Sequence, residues 1–317
     1  MGRQSHFRAY AALAAVCVFW GTTYLAIRMA LESFAPATLV GIRYLISGSI
    51  LCVGARLFGI ALPRGRELWL TALYGVIVIG LGNGALVYAE EWVPSGLASI
   101  FITTGPFWMT GLEAVLPGGE RLRRATIVGM LVGLAGTVVL VSRGALDYHQ
   151  STAALWAGFL LLQFGCAGWA TGSILQRRLA TKAHPVVSGA VQQLATGIVF
   201  CVLALIVPGH PIHWSQRGVG AIVWLVVFGS IVGYSSFIYS MDRLAVSVVS
   251  IYNYVNPVVA VALGWLFYRE PFGDREAIGM VIIFAGVAIV KRYGGVRARG
   301  DTRAVPAAAS SQRQPAV

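Results

Sequence analysis

Apolar residues run along this chain in long stretches, separated by short segments that collect most of the charge. A helix needs about 20 predominantly apolar residues to cross the hydrocarbon core of a bilayer. By that ruler the chain divides into ten spans, at 9–31, 37–58, 68–89, 95–116, 125–142, 153–176, 185–207, 217–240, 245–268 and 274–291. The gaps leave no room for a sizeable soluble domain, so the expected fold is all-α and integral to the membrane. The first run is too long for a cleaved signal peptide and leads straight into a second. From Gly294 the chain turns rich in Arg, Ala, Ser and Pro, and 294–317 is expected to be a disordered basic tail.

Composition agrees with the pattern. The 317 residues are 57% hydrophobic and 11% charged, with a mean hydropathy of +0.74, whereas a soluble domain carries about 25% charged residues. The net charge of +12 does not point to nucleic acid, because the basic residues sit between apolar runs and in the tail. There they orient helices and meet lipid headgroups. With the N-terminus inside, 18 of the 24 Lys and Arg fall in cytoplasmic segments and five outside. The expectation is a multi-pass protein of a bacterial-type inner (plasma) membrane with both termini cytoplasmic. Cys17, Cys52, Cys166 and Cys201 all lie inside apolar runs without a CxxC pair. They read as small hydrophobes, and neither a metal nor a cofactor is expected.

The halves of the chain match each other. At an offset of 149, Cys17 falls on Cys166, Trp20 on Trp169, Arg28 on Arg177, Pro36 on Pro185, Gly48 on Gly197 and Cys52 on Cys201. At 151, Gly82 falls on Gly233, Tyr88 on Tyr239, Ser99 on Ser250 and Pro106 on Pro257; at 150, Glu120 falls on Glu270, Gly129 on Gly279 and Gly136 on Gly286. Each copy holds five spans, an odd number, so the second is inverted relative to the first. The expected architecture is ten transmembrane helices as two inverted-topology five-helix repeats, 1–147 and 148–293, with a binding site near the midplane between them.

Polar residues inside the spans mark where that site would be. Pro106, beside Thr103 and Thr104, and Pro257, beside Tyr252, Asn253 and Asn256, each free a backbone carbonyl when set within a helix. Such groups must be met by protein or by water in a cavity. Either the spans holding them face an aqueous centre, or the prolines are kinks whose polar neighbours serve packing. Trp20, Thr23 and Tyr24 read as cavity lining or as tight packing on Gly21; Asn83, among Gly80, Gly82 and Gly84, reads as packing glue or a ligand group. Tyr88, Trp169, Tyr234 and Tyr239 complete the candidate substrate-binding set. Arg43 lies a few residues below the outer surface, where it can snorkel or pair. Glu90 and Glu113 are possible proton-coupling acids, or are hydrated near an interface.

In the stretches FWGTTYLAIRMAL, FAPATLVGIRYL and VPSGLASIFITTGPFW, and in VSIYNYVNPVVAVALGWLFYREP and IGMVIIFAGVAIV of the second copy, the chain resembles the EamA family of the drug/metabolite transporter superfamily. The resemblance covers residues 9–293. It implies a ten-helix carrier with a central cavity lined largely by helices 1, 3, 4, 6, 8 and 9, and usually export of metabolites, amino acids or drug-like compounds. It also implies that Glu120 and Glu270 are structural acids capping the next helix. One departure matters: small multidrug-resistance relatives exchange protons for cations through a glutamate in their first helix, and residues 9–31 contain no Asp or Glu.

Other classes fit less well. All five histidines lie outside the spans, and there is neither a GxSxG elbow nor a Walker motif, which argues against an enzyme or an ATP-driven pump. A channel would want a ring of repeated groups at a constriction. The expectation is a secondary transporter working on a small-molecule substrate in a lipid bilayer; a facilitated carrier or channel-like permease is the alternative. A monomer suffices for the fold, and the oligomeric state stays open.

Overall fold

A computed structural model describes residues 3–93, 98, 101–120, 122–146, 152–178, 184–207, 209–268 and 273–293. Among them the secondary structure is helical: α1 (Arg3–Leu31), α2 (Pro36–Leu57), α3 (Gly65–Ala89), α4 (Gly105–Val115), α5 (Arg124–Leu146), α6 (Thr152–Arg178), α7 (Pro185–Ile206), α8 (Gln216–Arg243), α9 (Tyr252–Tyr268) and α10 (Asp274–Tyr293). A single helical turn, Val246–Val249, leads into α9. Glu270 and the tail 294–317 lie outside the described residues.

Seven helices among the described residues are long and apolar enough to cross a membrane: α1, α2, α3, α6, α7, α8, and the stretch Val246–Leu263 that includes the start of α9. The other three are shorter or more charged over the residues described in full. α4 has 11 residues. α5 is apolar over Arg124–Leu140, the part described with its side chains. α10 carries Asp274 and Glu276 in its first turn and Lys291 and Arg292 in its last, which trims its apolar run. The outer surface is hydrophobic, as on α2, where Ile46, Ile50, Val53 and Leu57 form an exposed stripe at helical spacing. In water such a surface would drive aggregation; in lipid it is a solvated face.

The matched prolines begin matched helices. Pro36 and Pro185 occupy the first turns of α2 and α7, where a missing N–H costs nothing and the fixed φ favours helix. Pro106 does the same for α4. The backbone is broken in mid-span as expected, but just before the proline: the chain turns at Thr103 and Thr104 and the helix restarts at Gly105, so Pro106 frees no carbonyl within a helix. Pro257, by contrast, lies inside α9, where it leaves the Asn253 carbonyl without its helical partner.

Helix pairing repeats along the chain. α1 packs on α9 and α6 on α4; the middle of α3 packs on α6 and α1 on the middle of α8. α2 packs on α7, and α5 on α10. Moving each helix five places along the series, from α10 round to α1, turns every one of these pairs into another of them or into itself. Glycines make the last two crossings close. A Cβ on Gly48 would lie 2.5 Å from the Leu194 nitrogen, and its counterpart Gly197 lies just as tightly on Leu45. A Cβ on Gly136 would lie 2.7 Å from the Ile283 nitrogen, and one on Gly286 2.5 Å from the Gly133 nitrogen. Small residues bring membrane helices together in this way.

These crossings give a direct expectation. Gly48→Leu forces backbone apart and should cost about 1–3 kcal/mol or more, seen as a lower unfolding temperature in detergent. Gly54→Leu, one and a half turns on and with nothing within 4 Å of its Cβ position, should leave that temperature nearly unchanged. Equal shifts for the two variants would mean that close backbone approach is not what holds α2 to α7.

Candidate functional site

Helices α1, α2, α3, α6, α8 and α9, together with the start of α4, converge on a cavity of about 90 Å3. A single water needs about 10–15 Å3 by the same measure, so there is space for several waters or a small solute.

Two tryptophans form its middle. Trp20 of α1 and Trp169 of α6 meet edge to face with ring centroids 5.3 Å apart, a favoured aromatic geometry. Each stands on a glycine of the opposite half. A Cβ on Gly82 would lie 2.6 Å from Trp169, and a Cβ on Gly233 would strike the Trp20 indole nitrogen. Trp20 donates its indole N–H to the Gly229 carbonyl at 2.9 Å. Tyr252 packs against Trp20 at 5.0 Å and Tyr234 against Trp169 at 6.2 Å, which completes an aromatic wall.

Both glycines lie in π-helical stretches, Val76–Asn83 within α3 and Leu225–Tyr234 within α8. A π stretch shifts the side-chain register and recurs at functional sites. Here the shifts carry Asn83 and Gly229 to the cavity beside Arg43 of α2. Arg43 is 3% exposed. Its Nε donates to the Ser230 hydroxyl at 2.8 Å and its Nη1 to the Asn83 carbonyl oxygen at 3.3 Å, and the guanidinium sits 4.7 Å from the Tyr44 ring. A Cβ on Gly229 would lie 2.7 Å from its Nη2, so glycine there leaves room for the cation.

The far wall comes from α9 and the α4 start. Asn253 faces Gly105, whose Cβ position lies 3.2 Å from the Asn253 amide nitrogen; this contact joins the two proline-bearing segments. With its amide turned to satisfy its neighbours, Asn256 donates to the Tyr252 and Cys17 carbonyls at 3.0 Å each, pinning α9 to α1. A buried polar layer joins α2, α7 and α8. The Tyr234 hydroxyl donates to Gln192 at 2.6 Å, Ser47 donates to Gln193, and Gln193 donates to the Ser230 carbonyl at 3.3 Å.

Of the candidate residues, Trp20, Thr23, Tyr24, Asn83, Trp169, Tyr234, Tyr252, Asn253 and Asn256 all line the cavity. Six are not among the lining side chains. Tyr88 is half-buried near the end of α3, and Tyr239 stacks under the Arg243 guanidinium at 3.8 Å. Thr103 is buried in the turn before α4, Pro106 in the first turn of α4 and Pro257 within α9. Thr104 donates to the Phe101 carbonyl at 2.7 Å and to Gln163 at 2.9 Å.

The two acids differ. Glu113 pairs with Arg178 at 3.1 Å. Glu90, at the end of α3, buries both carboxyl oxygens with no hydrogen-bond partner among the described residues. Glu120 pairs with Arg177 at 3.1 Å and accepts the Val246 N–H at 2.9 Å. It therefore caps the turn that leads into α9 rather than the helix that follows it in sequence.

Sequence reasoning missed Arg43, together with Tyr44, Cys166 and Gly229, as lining residues. The available signal for Arg43 was a charge seven residues into an apolar helix with no acid on its own helix to pair with.

The EamA-like transporter family model matches the chain twice, at residues 7–142 and 156–292. The inner membrane transporter YedA of Escherichia coli (strain K12) is 34% identical over 284 residues, covering 88% of this chain and 90% of YedA. A protein of Streptantibioticus cattleyicolor named "Probable terminal-alkyne amino-acid exporter" is 27% identical, covering 90% and 94% of the two chains. A solved crystal structure superposes with a TM-score of 0.78 over 90% of this chain and 96% of the other, at 22% identity, and shares the fold. Two matches to one family model and a relative this similar over nearly its whole length identify the chain: it belongs to the EamA-like transporter family and is a membrane transporter.

Proposed function

We propose that the chain is a secondary transporter that exports small metabolites, amino acids or drug-like compounds by alternating access. In this reading ten crossings form two inverted five-helix halves, both termini are cytoplasmic, and the halves rock about the central cavity. The observation that carries it is the matched pair at the centre: Trp20 on Gly233 and Trp169 on Gly82, each contact linking one half of the chain to the other. The name of the S. cattleyicolor relative supports amino acids as one substrate class. Counterflow in proteoliposomes, screened across amino acids and aromatic metabolites, tests the reading. Accumulation of at least one solute, lost when Tyr252 or Asn256 is replaced, is the expected result. No accumulation of any would reject it.

Glu90 is the proposed coupling acid, because its carboxyl oxygens are buried with no hydrogen-bond partner among the described residues, whereas Glu113 is held by Arg178. Glu90→Gln is expected to abolish concentrative transport driven by a pH gradient while leaving counterflow within about 3-fold. Undiminished gradient-driven transport in the variant would remove Glu90 from the mechanism.

A further inference from the structure

Arg43 is a buried cation. Among the described residues no carboxylate forms an ion pair with it: the four ion pairs join Arg177 to Glu120, Arg178 to Glu113, Arg217 to Glu32 and Arg243 to Asp242. Its hydrogen-bond partners, Ser230 and Asn83, are neutral. They orient the guanidinium but cannot offset its charge. A lone cation at membrane depth is costly, and such groups face a partner or a water-filled cavity. Arg43 faces the cavity, where the lining carries no Asp or Glu among the described residues.

The remaining walls are largely aromatic, from Trp20, Trp169, Tyr234 and Tyr252, with the neutral amides of Asn253 and Asn256 on the α9 side. A site with one fixed cation and walls that are otherwise neutral and largely aromatic suits a solute with one negative charge and an apolar body. A planar carboxylate matches the guanidinium fork. A doubly charged phosphate would bring a second negative charge that nothing in the lining neutralises, and a cationic solute would meet the one charge that repels it.

We infer that Arg43 is the carboxylate-binding residue of the substrate site, and that the transported solutes are monocarboxylates with an apolar or aromatic body. The inference rests on the transport reading and names its substrate class. Asn83 and Ser230 are positioning residues that hold the fork toward the cavity, and Gly229 leaves room for it.

The test uses purified full-length protein and three compounds of similar size and different charge: phenylacetate, 2-phenylethanol and 2-phenylethylamine. Two readouts are taken, ligand-dependent shifts in unfolding temperature and counterflow in proteoliposomes. Phenylacetate is expected to bind at least about 10-fold more tightly than the alcohol or the amine. In Arg43→Gln the advantage of the acid over the alcohol collapses, and Arg43→Lys restores part of it. Ser230→Ala, which keeps the charge and removes one orienting bond, is expected to weaken the acid only about 2- to 5-fold.

If Arg43→Gln fails to fold, the wild-type ranking of the three compounds still decides. Equal binding of all three, preference for the amine, or full acid affinity in Arg43→Gln each overturn the inference. Binding of the acid without counterflow of any solute would reject the transport reading and leave the carboxylate site standing. Counterflow without charge preference would do the reverse.

Discussion

Gly233→Val and Gly82→Val are each expected to reduce transport at least about 10-fold while the protein stays folded. A Cβ at Gly82 would lie 2.6 Å from Trp169, and one at Gly233 would strike the Trp20 indole nitrogen. Neither ring can back away freely, since Trp20 is packed against Tyr252 and Phe237, and Trp169 against Tyr234 and Phe237. Overpacking costs about 1–3 kcal/mol, and 1.4 kcal/mol is a factor of about 10 in an equilibrium. The informative feature is the match between the variants. Each contact sets a glycine of one half against a tryptophan of the other, so similar penalties indicate that both halves contribute alike to the centre. Transport kinetics measured alongside thermal unfolding separate the two effects, and a loss in only one variant would show that the tryptophans are not used alike.

Arg177→Met is expected to destabilise the protein by about 3–5 kcal/mol and to abolish transport. The Arg177 and Glu120 side chains are 6% and 12% exposed. Arg177 also donates to the Leu244 carbonyl at 3.2 Å, and Glu120 accepts from Val246. One residue thus ties α6 to the α4–α5 connection and to the turn before α9. Removing the cation leaves a buried carboxylate uncompensated. The exposed pair of Arg217 and Glu32, 3.8 Å apart and half-exposed on both sides, is the contrast: Arg217→Met should cost no more than about 1 kcal/mol. Chemical denaturation in mixed micelles measures both. Similar losses for the two variants would mean that burial does not set the value of the Arg177 pair.

Several features of the site are legible in residue spacing alone. Offsets of 149 and 151 pair Trp20 with Trp169 and Gly82 with Gly233; the two tryptophans meet, and each stands on a glycine of the opposite half. The proline offset anticipates where α2 and α7 begin. What spacing does not carry is direction and local register. The depth of Arg43 in its helix reads equally well as snorkelling; its turn toward the centre depends on Ser230 and Asn83, which lie 187 and 40 residues away. The π-helical stretches leave no mark in apolar runs such as VIVIGLGN, because every register of such a run is hydrophobic. Pro106 starts a helix where Pro257 lies inside one, although both stand in similar apolar settings. The partner of Glu113 is 65 residues away on α6, and no local pattern announces it.

Alternating access is tested most directly at Cys166, a free cysteine on the cavity wall. In a variant with Cys17, Cys52 and Cys201 replaced by alanine, a membrane-impermeant maleimide should reach Cys166 from both faces of the membrane. Ser33 and Ser215, in opposite halves of the chain, have hydroxyls 2.8 Å apart, so Ser33→Cys and Ser215→Cys can form a disulfide that ties the halves together at one end of the molecule. With that bond formed, alternating access predicts labelling of Cys166 from one face only, and full recovery of two-sided labelling on reduction. Labelling from both faces with the cross-link in place would describe an open pore and would contradict alternating access.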